Sequence, residues 1–291
     1  MKFLIQGGEK IEGSIKLAGA KNGATKAMIA TLLTDEPCFL ENFPGIGDVN
    51  ITAELCRQLG SKVVIENQIA ELHTPKITNS KVVSLTRKNR IPILAIGPLL
   101  ARTGEAEVPI LGGDKIGPRP VDIHVAALSA LGAEIQVFPD RYIATAPKGL
   151  RGAELLLRYP SVGATENTIL AAVLAKGKTI IQNAAVEPEI IDLIKMLNKM
   201  GAIIEIDARR VTIEGVDHLR GVTHSILPDR NEAVSFACLA AASGGKIFVE
   251  DAQQEHLITF LSAFRRAGGE YEVQDNGILF YSGGQLKAVD I

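Results

Sequence analysis

The sequence has few of the residues that build several common kinds of site. It contains no tryptophan, and aromatic residues make up only 4% of its 291 positions, so we expect no aromatic platform for stacking nucleic-acid bases. Its three cysteines form no Cys-x-x-Cys pair, which indicates buried free thiols in a reducing compartment. Its five histidines lack the i, i+4 spacing of a helical metal site, so we predict no bound metal.

Long apolar runs and an excess of charge of one sign are also missing. The stretch 91–101 is interrupted by two prolines and a glycine and is shorter than the roughly 20 residues of a membrane-spanning helix. The formal net charge is −2, so neither nucleic acid nor an anionic membrane is an expected partner. The first ten residues do not read as a secretory signal. We therefore expect a globular, cytoplasmic protein of one large or two moderate domains.

A repeat organises the chain. A helix followed by a glycine turn recurs at Gly60, Gly132, Gly201 and Gly268, roughly 70 residues apart each time. Alternating apolar residues after each glycine predict a β-hairpin. The predicted hairpin strands are 63–65 with 68–72, 134–137 with 141–145, 203–206 with 210–213, and 271–273 with 277–280.

Each glycine turn follows an amphipathic helix, which in turn follows a short apolar strand and a further helix. The predicted strands are 38–40, 108–111, 179–181 and 247–249, and the helices before them are 24–33, 93–101, 164–175 and 232–242. The pattern predicts an α/β (α+β) fold of four helix-strand-helix-hairpin units. Such units pack pseudo-symmetrically, with the helices inside and the sheets outside or the reverse.

Three helix starts have chemistry that suits an anion. Lys21 and Asn22 follow a Gly-Ala turn and open a helix, where backbone amides and a lysine favour negative charge. The alternative is an ordinary glycine turn with a solvated lysine. Ser161-Val162-Gly163 and Leu227-Pro228-Asp229-Arg230 open the corresponding helices of later units. If these helix starts converge on one cleft, the sequence favours a site for an anionic ligand.

The loop that contains Asp114 and Arg119 is rich in glycine and proline, so it cannot form regular structure. Such a loop can act as a lid that excludes water from an active site. Asp114 could then serve as a general acid, and Arg119 could bind phosphate or carboxylate. The alternative is an ordinary surface loop with a solvated aspartate. Arg90 follows a basic run, for which solvation is the default interpretation.

Together these motifs resemble the enolpyruvyl transferases over essentially the whole chain. The matching motifs are Lys21-Asn22, Arg90 ahead of Ile-Gly-Pro-Leu-Leu-Ala-Arg, Leu-Gly-Gly-Asp114-Lys-Ile-Gly-Pro-Arg119-Pro-Val-Asp, Ser161-Val-Gly-Ala-Thr, Glu187-Pro-Glu-Ile and Leu227-Pro-Asp-Arg. The members that use UDP-N-acetylglucosamine are the better match, since the sister enzyme of aromatic amino-acid synthesis would begin Pro-Gly-Asp-Lys-Ser. The resemblance implies an inside-out α/β barrel with four of six repeats present. It implies a complete first domain at 21–227 and a partial second domain, of one repeat, at 1–20 plus 228–291.

The activity that the resemblance implies is enolpyruvyl transfer from phosphoenolpyruvate to the 3-hydroxyl of UDP-N-acetylglucosamine, the first committed step of peptidoglycan synthesis. It needs no cofactor, because positioning and charge stabilisation carry the reaction. Lys21 would be catalytic and Asp114 the general acid. Phosphoenolpyruvate would be held by Lys21, Asn22 and Arg119. UDP-N-acetylglucosamine would be held by Arg90, Arg119, Pro120, Val121, Asp122, Ile123, Ser161, Val162 and Gly163.

The chain departs from the family pattern in two ways. Many members carry cysteine where this chain has Asp114, and a carboxyl group cannot form the thioether by which fosfomycin inactivates those members. We therefore expect intrinsic fosfomycin resistance. The family's catalytic base belongs to a Phe-Pro-Thr-Asp motif that this sequence does not contain. We also expect the incomplete second domain to expose a normally buried face and to promote self-association.

Two alternatives to an active transferase remain open. The chain could be a non-catalytic UDP-sugar-binding module, which the missing base and arginines favour and the intact lid opposes. It could also be the first half of a split enzyme that another chain completes.

Overall fold

The structure, a computed structural model, describes residues 2, 4, 7–85, 90–110, 112 and 120–290. Its helices are α1 (Lys21–Ala30), α2 (Gly47–Leu59), α3 (Ile96–Thr103), α4 (Asp122–Ala130), α5 (Val162–Ala172), α6 (Pro188–Lys199), α7 (Arg230–Ser243) and α8 (Ile258–Arg266). Its strands are β1 (Glu12–Lys16), β2 (Cys38–Glu41), β3 (Lys62–Glu66), β4 (Ile69–His73), β5 (Glu105–Pro109), β6 (Glu134–Val137), β7 (Arg141–Thr145), β8 (Glu154–Leu156), β9 (Lys178–Gln182), β10 (Ile203–Asp207), β11 (Arg210–Glu214), β12 (Thr223–Ser225), β13 (Lys246–Glu250), β14 (Gly269–Gln274) and β15 (Gly277–Ser282). Short 3-10 turns occupy Thr31–Leu33, Ile91–Ala95 and Gln254–His256.

The predicted order of helix, strand, helix and hairpin is confirmed in all four repeats. The four glycine turns have positive φ angles, a region that side chains with a Cβ atom avoid. The values are 112° at Gly60, 94° at Gly132, 104° at Gly201 and 96° at Gly268. Each helix before a hairpin therefore ends where glycine allows the backbone to reverse.

Two predicted elements of the second repeat have different bounds. The strand expected at 108–111 is β5, which begins three residues earlier. Its polar residues Glu105 and Glu107 concealed the alternation in which Ala106 and Val108 are buried. The helix expected at 93–101 begins as a 3-10 turn and becomes α-helical at Ile96.

Contacts between residues divide the chain into two compact units, of which the larger is Lys21–Leu227. Its sheets have the strand orders β12-β2-β4-β3, β5-β7-β6 and β8-β9-β11-β10. β8 leaves the second repeat and pairs in parallel with β9 of the third, and β12 leaves the third repeat and pairs in parallel with β2 of the first. A strand that follows the third repeat thus joins the sheet of the first. The described strands nevertheless form separate sheets and not one continuous barrel.

The interior of the larger unit is helical. Ala164 and the eight residues after it in α5 are all buried, and most of α1 and α3 is buried as well. α5 packs against α3 and α4, while α1 packs against α2 and α6. Of the two arrangements left open by the sequence, the one with helices inside is therefore correct.

The smaller unit contains Met1–Ala20 and Pro228–Ile291. Its sheet has the order β1-β13-β15-β14, with β1 parallel to β13, and α7 packs on this sheet. The core includes Leu17, Phe264 and Phe280. α7 has an outer face on which Cys238 and Leu239 are exposed, whereas α5 is buried from Ala164 onward. The expectation of buried thiols is therefore confirmed for Cys38 and Cys56 but wrong for Cys238.

Candidate active site

Lys21 and Asn22 are the first two residues of α1 and both are exposed. The ammonium group of Lys21 lies 2.7 Å from Oδ2 of Asp48, which belongs to the first turn of α2. The Thr25 hydroxyl donates to the carbonyl oxygen of Lys21 at 3.1 Å and so stabilises the same turn. The start of α1 therefore presents a lysine and an amide side chain at a helix end whose dipole favours anions.

A second group of predicted residues surrounds the buried side chain of His124. A Cβ atom on Gly163 would lie only 3.0 Å from Cε1 of His124, so the start of α5 lies close against the imidazole ring. The pKa of His124 is lowered to about 4, with burial as the largest cause; the positive charge of Arg90 adds to the shift, and Asp122 opposes it. The structure thus brings Arg90, Asp122 and Gly163 together around a histidine that is neutral at pH 7.

His124 itself was missed by the sequence reasoning. The sequence has five scattered histidines, and none of them lies in a motif that marks it as a site residue. The available signal was its place one residue after the 119–123 run, in the first turn of α4. Its Nδ1 lies 3.2 Å from the Asn167 amide of α5, which fixes the ring.

Arg158 is another residue that the sequence reasoning missed. Its guanidinium forms an ion pair with the carboxylate of Asp122, and both side chains are more than half exposed. An exposed pair of this kind contributes little to stability. It does hold a guanidinium just before Ser161, at the rim of the group that surrounds His124.

The remaining predicted nucleotide-sugar residues lie at the starts of α4 and α5. Ser161 caps α5, and its hydroxyl accepts from the amide of Ala164 at 3.3 Å, with Val162 and Gly163 in the first turn. Pro120 is exposed, while Val121 and Ile123 flank Asp122 with intermediate exposure. Asp114 and Arg119 lie outside the described residues, so their roles stay predictions.

The helix start at Leu227-Pro228-Asp229-Arg230 differs from the other two. The carboxylate of Asp229 caps α7 by accepting from the amides of Asn231 at 2.7 Å and Glu232 at 3.4 Å. A negative charge therefore already occupies this helix end. The expected similarity of all three helix starts as anion sites is wrong at this one, because aspartate is itself a preferred cap.

Beneath the start of α5 lies a run of four buried polar residues, 165–168. The Thr165 hydroxyl accepts from the amide of Ala185 at 3.0 Å, and the Asn167 amide donates to the carbonyl of Ile93 at 3.2 Å. Between them, Oε1 of Glu166 lies 3.8 Å from the Lys26 ammonium. Each of these three side chains reaches a different neighbouring segment.

The part of the chain that the structure describes contains neither a metal-ligand cluster nor a membrane-spanning helix. No cluster of three His, Cys, Asp or Glu side chains there could hold a metal ion. Every helix within that part is too short or too polar to cross a bilayer.

A family model and curated proteins both match this chain over nearly its whole length. Residues 5–291 match the family model described as EPSP synthase (3-phosphoshikimate 1-carboxyvinyltransferase). A UDP-N-acetylglucosamine 1-carboxyvinyltransferase from Chlamydia muridarum is 49% identical over 99% of this chain and 67% of its own length. The corresponding protein of Chlamydia abortus is 49% identical over 97% of this chain and 65% of its own length. The chain thus spans about two thirds of the length of these curated relatives.

Solved structures share the fold at much lower identity. The enolpyruvyl transferase NikO from Streptomyces tendae aligns with a TM-score of 0.82 and 17% identity, over 95% of this chain and 67% of NikO. EPSP synthase from Acinetobacter baumannii aligns with a TM-score of 0.71 and 18% identity, over 97% of this chain and 67% of its own length. At such identities the agreement concerns the fold alone.

Proposed function

Because the chain belongs to the enolpyruvyl transferase family, we propose that it serves to transfer the enolpyruvyl group of phosphoenolpyruvate to the 3-hydroxyl of UDP-N-acetylglucosamine. The observation that carries this proposal is the grouping of Arg90, Asp122 and Gly163 around His124. A neutral, buried imidazole beside a guanidinium and a helix start suits a ligand that is both polar and anionic, as a nucleotide sugar is. The relatives' names supply the identity of that sugar.

In the proposed reaction the sugar 3-hydroxyl loses its proton and its oxygen attacks C2 of phosphoenolpyruvate. A proton is added to the methylene carbon, which gives a tetrahedral intermediate. The bond from C2 to the phosphate oxygen then breaks, a proton leaves the methyl group, and phosphate is released. Asp114 would donate the first proton.

The two substrates would use different helix ends. Lys21, Asn22 and Arg119 would bind the phosphate and carboxylate of phosphoenolpyruvate at the start of α1. Arg90, the 119–123 run and Ser161-Val162-Gly163 would bind the nucleotide sugar at the starts of α4 and α5. Catalysis would then depend on holding the sugar hydroxyl against C2 of the bound phosphoenolpyruvate.

The larger unit, Lys21–Leu227, would be the complete first domain of the enzyme, and the smaller unit a part of the second. Peptidoglycan synthesis would place the protein in the cytoplasm, with links to cell-wall biogenesis, cell shape, the cell cycle and cell division. The exposed face of α7 around Leu239 supports self-association through the smaller unit. Sedimentation velocity of the wild-type chain and of Leu239→Glu tests this, because the charged variant should shift any dimer toward monomer.

A second candidate function is binding without turnover, either as a UDP-sugar-binding module or as half of a split enzyme. It would use the same candidate nucleotide-sugar site around His124 and would differ from the first candidate only in having no turnover. This candidate predicts that UDP-N-acetylglucosamine binds while no phosphate is released.

Phosphate release from phosphoenolpyruvate and UDP-N-acetylglucosamine tests both candidates. Release by the 291-residue chain that is lost in Asp114→Ala would support the transferase. Calorimetric binding of UDP-N-acetylglucosamine without release would support the module or the half enzyme. A folded chain that neither binds the nucleotide sugar nor releases phosphate would contradict both.

A further inference from the structure

A buried pair of opposite charges connects the two helices whose ends carry the proposed substrate sites. The Lys26 ammonium of α1 lies 3.8 Å from Oε1 of Glu166 in α5. The side chain of Lys26 is only 12% exposed and that of Glu166 only 1%. Lysine and glutamate are almost never buried this deeply unless they are paired.

The pair lies one helical turn below each ligand-bearing end. Lys26 follows Asn22 by four residues in α1, and Glu166 follows Val162 by four residues in α5. At a rise of about 1.5 Å per residue, each charge lies about 6 Å along its helix from the proposed site. A contact at this level controls the spacing of the two ends, since an α-helix is stiff over a single turn.

The surroundings of the pair are acidic. Glu187 immediately precedes α6, and Glu189 lies in the first turn of α6; both raise the pKa of Glu166, so both lie near it. Neither carboxylate oxygen of Glu166 accepts a hydrogen bond from any residue that the structure describes. Lys26 therefore supplies the positive charge against which Glu166 is held.

We propose that Lys26 and Glu166 are positioning residues, whose buried contact fixes the amino-terminal turn of α1 relative to that of α5. This role rests on the proposed function: the pair would hold bound phosphoenolpyruvate in register with the bound nucleotide sugar. Neither residue touches a substrate. Their effect is on the coupling between two sites and not on either site alone.

The test uses the full chain with the double substitution Lys26→Met/Glu166→Gln. A double variant is needed because removing one partner of a buried pair leaves the other charge uncompensated and can prevent folding. Arg102→Met is the matched control. Arg102 is a partly buried cation that donates to the carbonyls of Leu32 and Thr34, at the opposite end of α1.

The first measurement is the coupling ratio, which is the Kd of phosphoenolpyruvate alone divided by its Kd with saturating UDP-N-acetylglucosamine. We expect the double variant to bind each ligand alone with a Kd within about twofold of wild type. Its coupling ratio should be at least about fivefold smaller than that of wild type. Lys26→Arg keeps the cation and should retain the ratio, as should the Arg102→Met control. A double variant with the wild-type ratio, or a wild-type ratio of one, would overturn the proposal.

The second measurement needs no ligand. Hydrogen exchange of amides 23–30 and 164–172 should be at least about tenfold faster in the double variant, whereas Arg102→Met should accelerate exchange near residues 31–34 instead. If wild type binds neither substrate, the proposed function fails but this comparison still decides the positioning role. Unchanged exchange in both helices of the folded double variant would overturn that role.

Discussion

Replacing Glu166 by glutamine should change how the stability of the protein depends on pH. Burial is the largest cause that raises the pKa of this carboxyl from 4.5 to about 7; Lys26 opposes the rise, and the Glu189 and Glu187 carboxylates add to it. A carboxyl with a higher pKa in the folded state contributes stability that is complete below its unfolded-state pKa. That contribution is lost as the pH rises through the folded-state pKa. Wild type should therefore lose stability, relative to Glu166→Gln, between about pH 4.5 and pH 7.

The size of the effect follows from the two pKa values. At about 1.4 kcal/mol for each pH unit, the difference between 4.5 and about 7 corresponds to about 3 kcal/mol of unfolding free energy. This is a large share of the roughly 5–15 kcal/mol that stabilises a typical domain. The glutamine variant keeps the shape of the side chain and removes the ionisation, but it also leaves the Lys26 ammonium without its opposite charge. The change of the stability difference with pH, and not its value at one pH, therefore isolates this contribution.

Urea unfolding followed by far-ultraviolet circular dichroism measures the effect. The unfolding free energy of Glu166→Gln minus that of wild type should increase by about 3 kcal/mol from pH 4 to pH 8. Glu205→Gln, at an exposed position of β10, is the matched control for loss of a surface carboxylate. A difference that stays flat over this range, or that decreases with pH, would refute the reasoning.

Three further predictions concern other parts of the larger unit and the lid. Arg102→Met should lower the unfolding free energy by roughly 3 kcal/mol in urea titrations, because the backbone carbonyls that accept from the guanidinium lose a charged donor. Gly163→Ala should lower the unfolding free energy and weaken calorimetric binding of UDP-N-acetylglucosamine about tenfold, since the new methyl group would press on the buried ring of His124; equal affinity would contradict this. Mass spectrometry should detect no fosfomycin adduct on wild type and a covalent adduct on Asp114→Cys, and a labelled wild-type chain would contradict the chemistry of a carboxyl at this position.

The repeated architecture could be predicted because its signals are local. Alternation in 203–206 and 210–213 and the glycine at 201 each specify a backbone shape within a few residues. Register needed no distant information, since a short turn fixes which strand residues pair. The bounds of β5 were predicted less well, because Glu105 and Glu107 obscured an alternation that only pairing with β7 completes.

The centre of the candidate site could be predicted only in part. Arg90, Asp122 and Gly163 were identified through a family resemblance, and nothing in their spacing indicates that they surround His124. The burial of that imidazole depends on α5, which is distant in sequence and brings Asn167 to its Nδ1 atom. Such an environment arises from tertiary packing and produces no periodic pattern in the sequence.

The buried polar run of α5 shows the same limit and also why the site is built on this helix. Polar residues in a predicted helix ordinarily mark its solvent face, yet Thr165, Glu166 and Asn167 are all buried. Hydrophobic packing alone would not distinguish one interior helix of a pseudo-symmetric unit from another. These three side chains do, because Thr165 and Asn167 form hydrogen bonds with two different segments and Glu166 pairs with Lys26 of a third. We infer that the cost of burying Glu166 is offset by a unique orientation of α5, and with it a defined position for the helix start at Ser161.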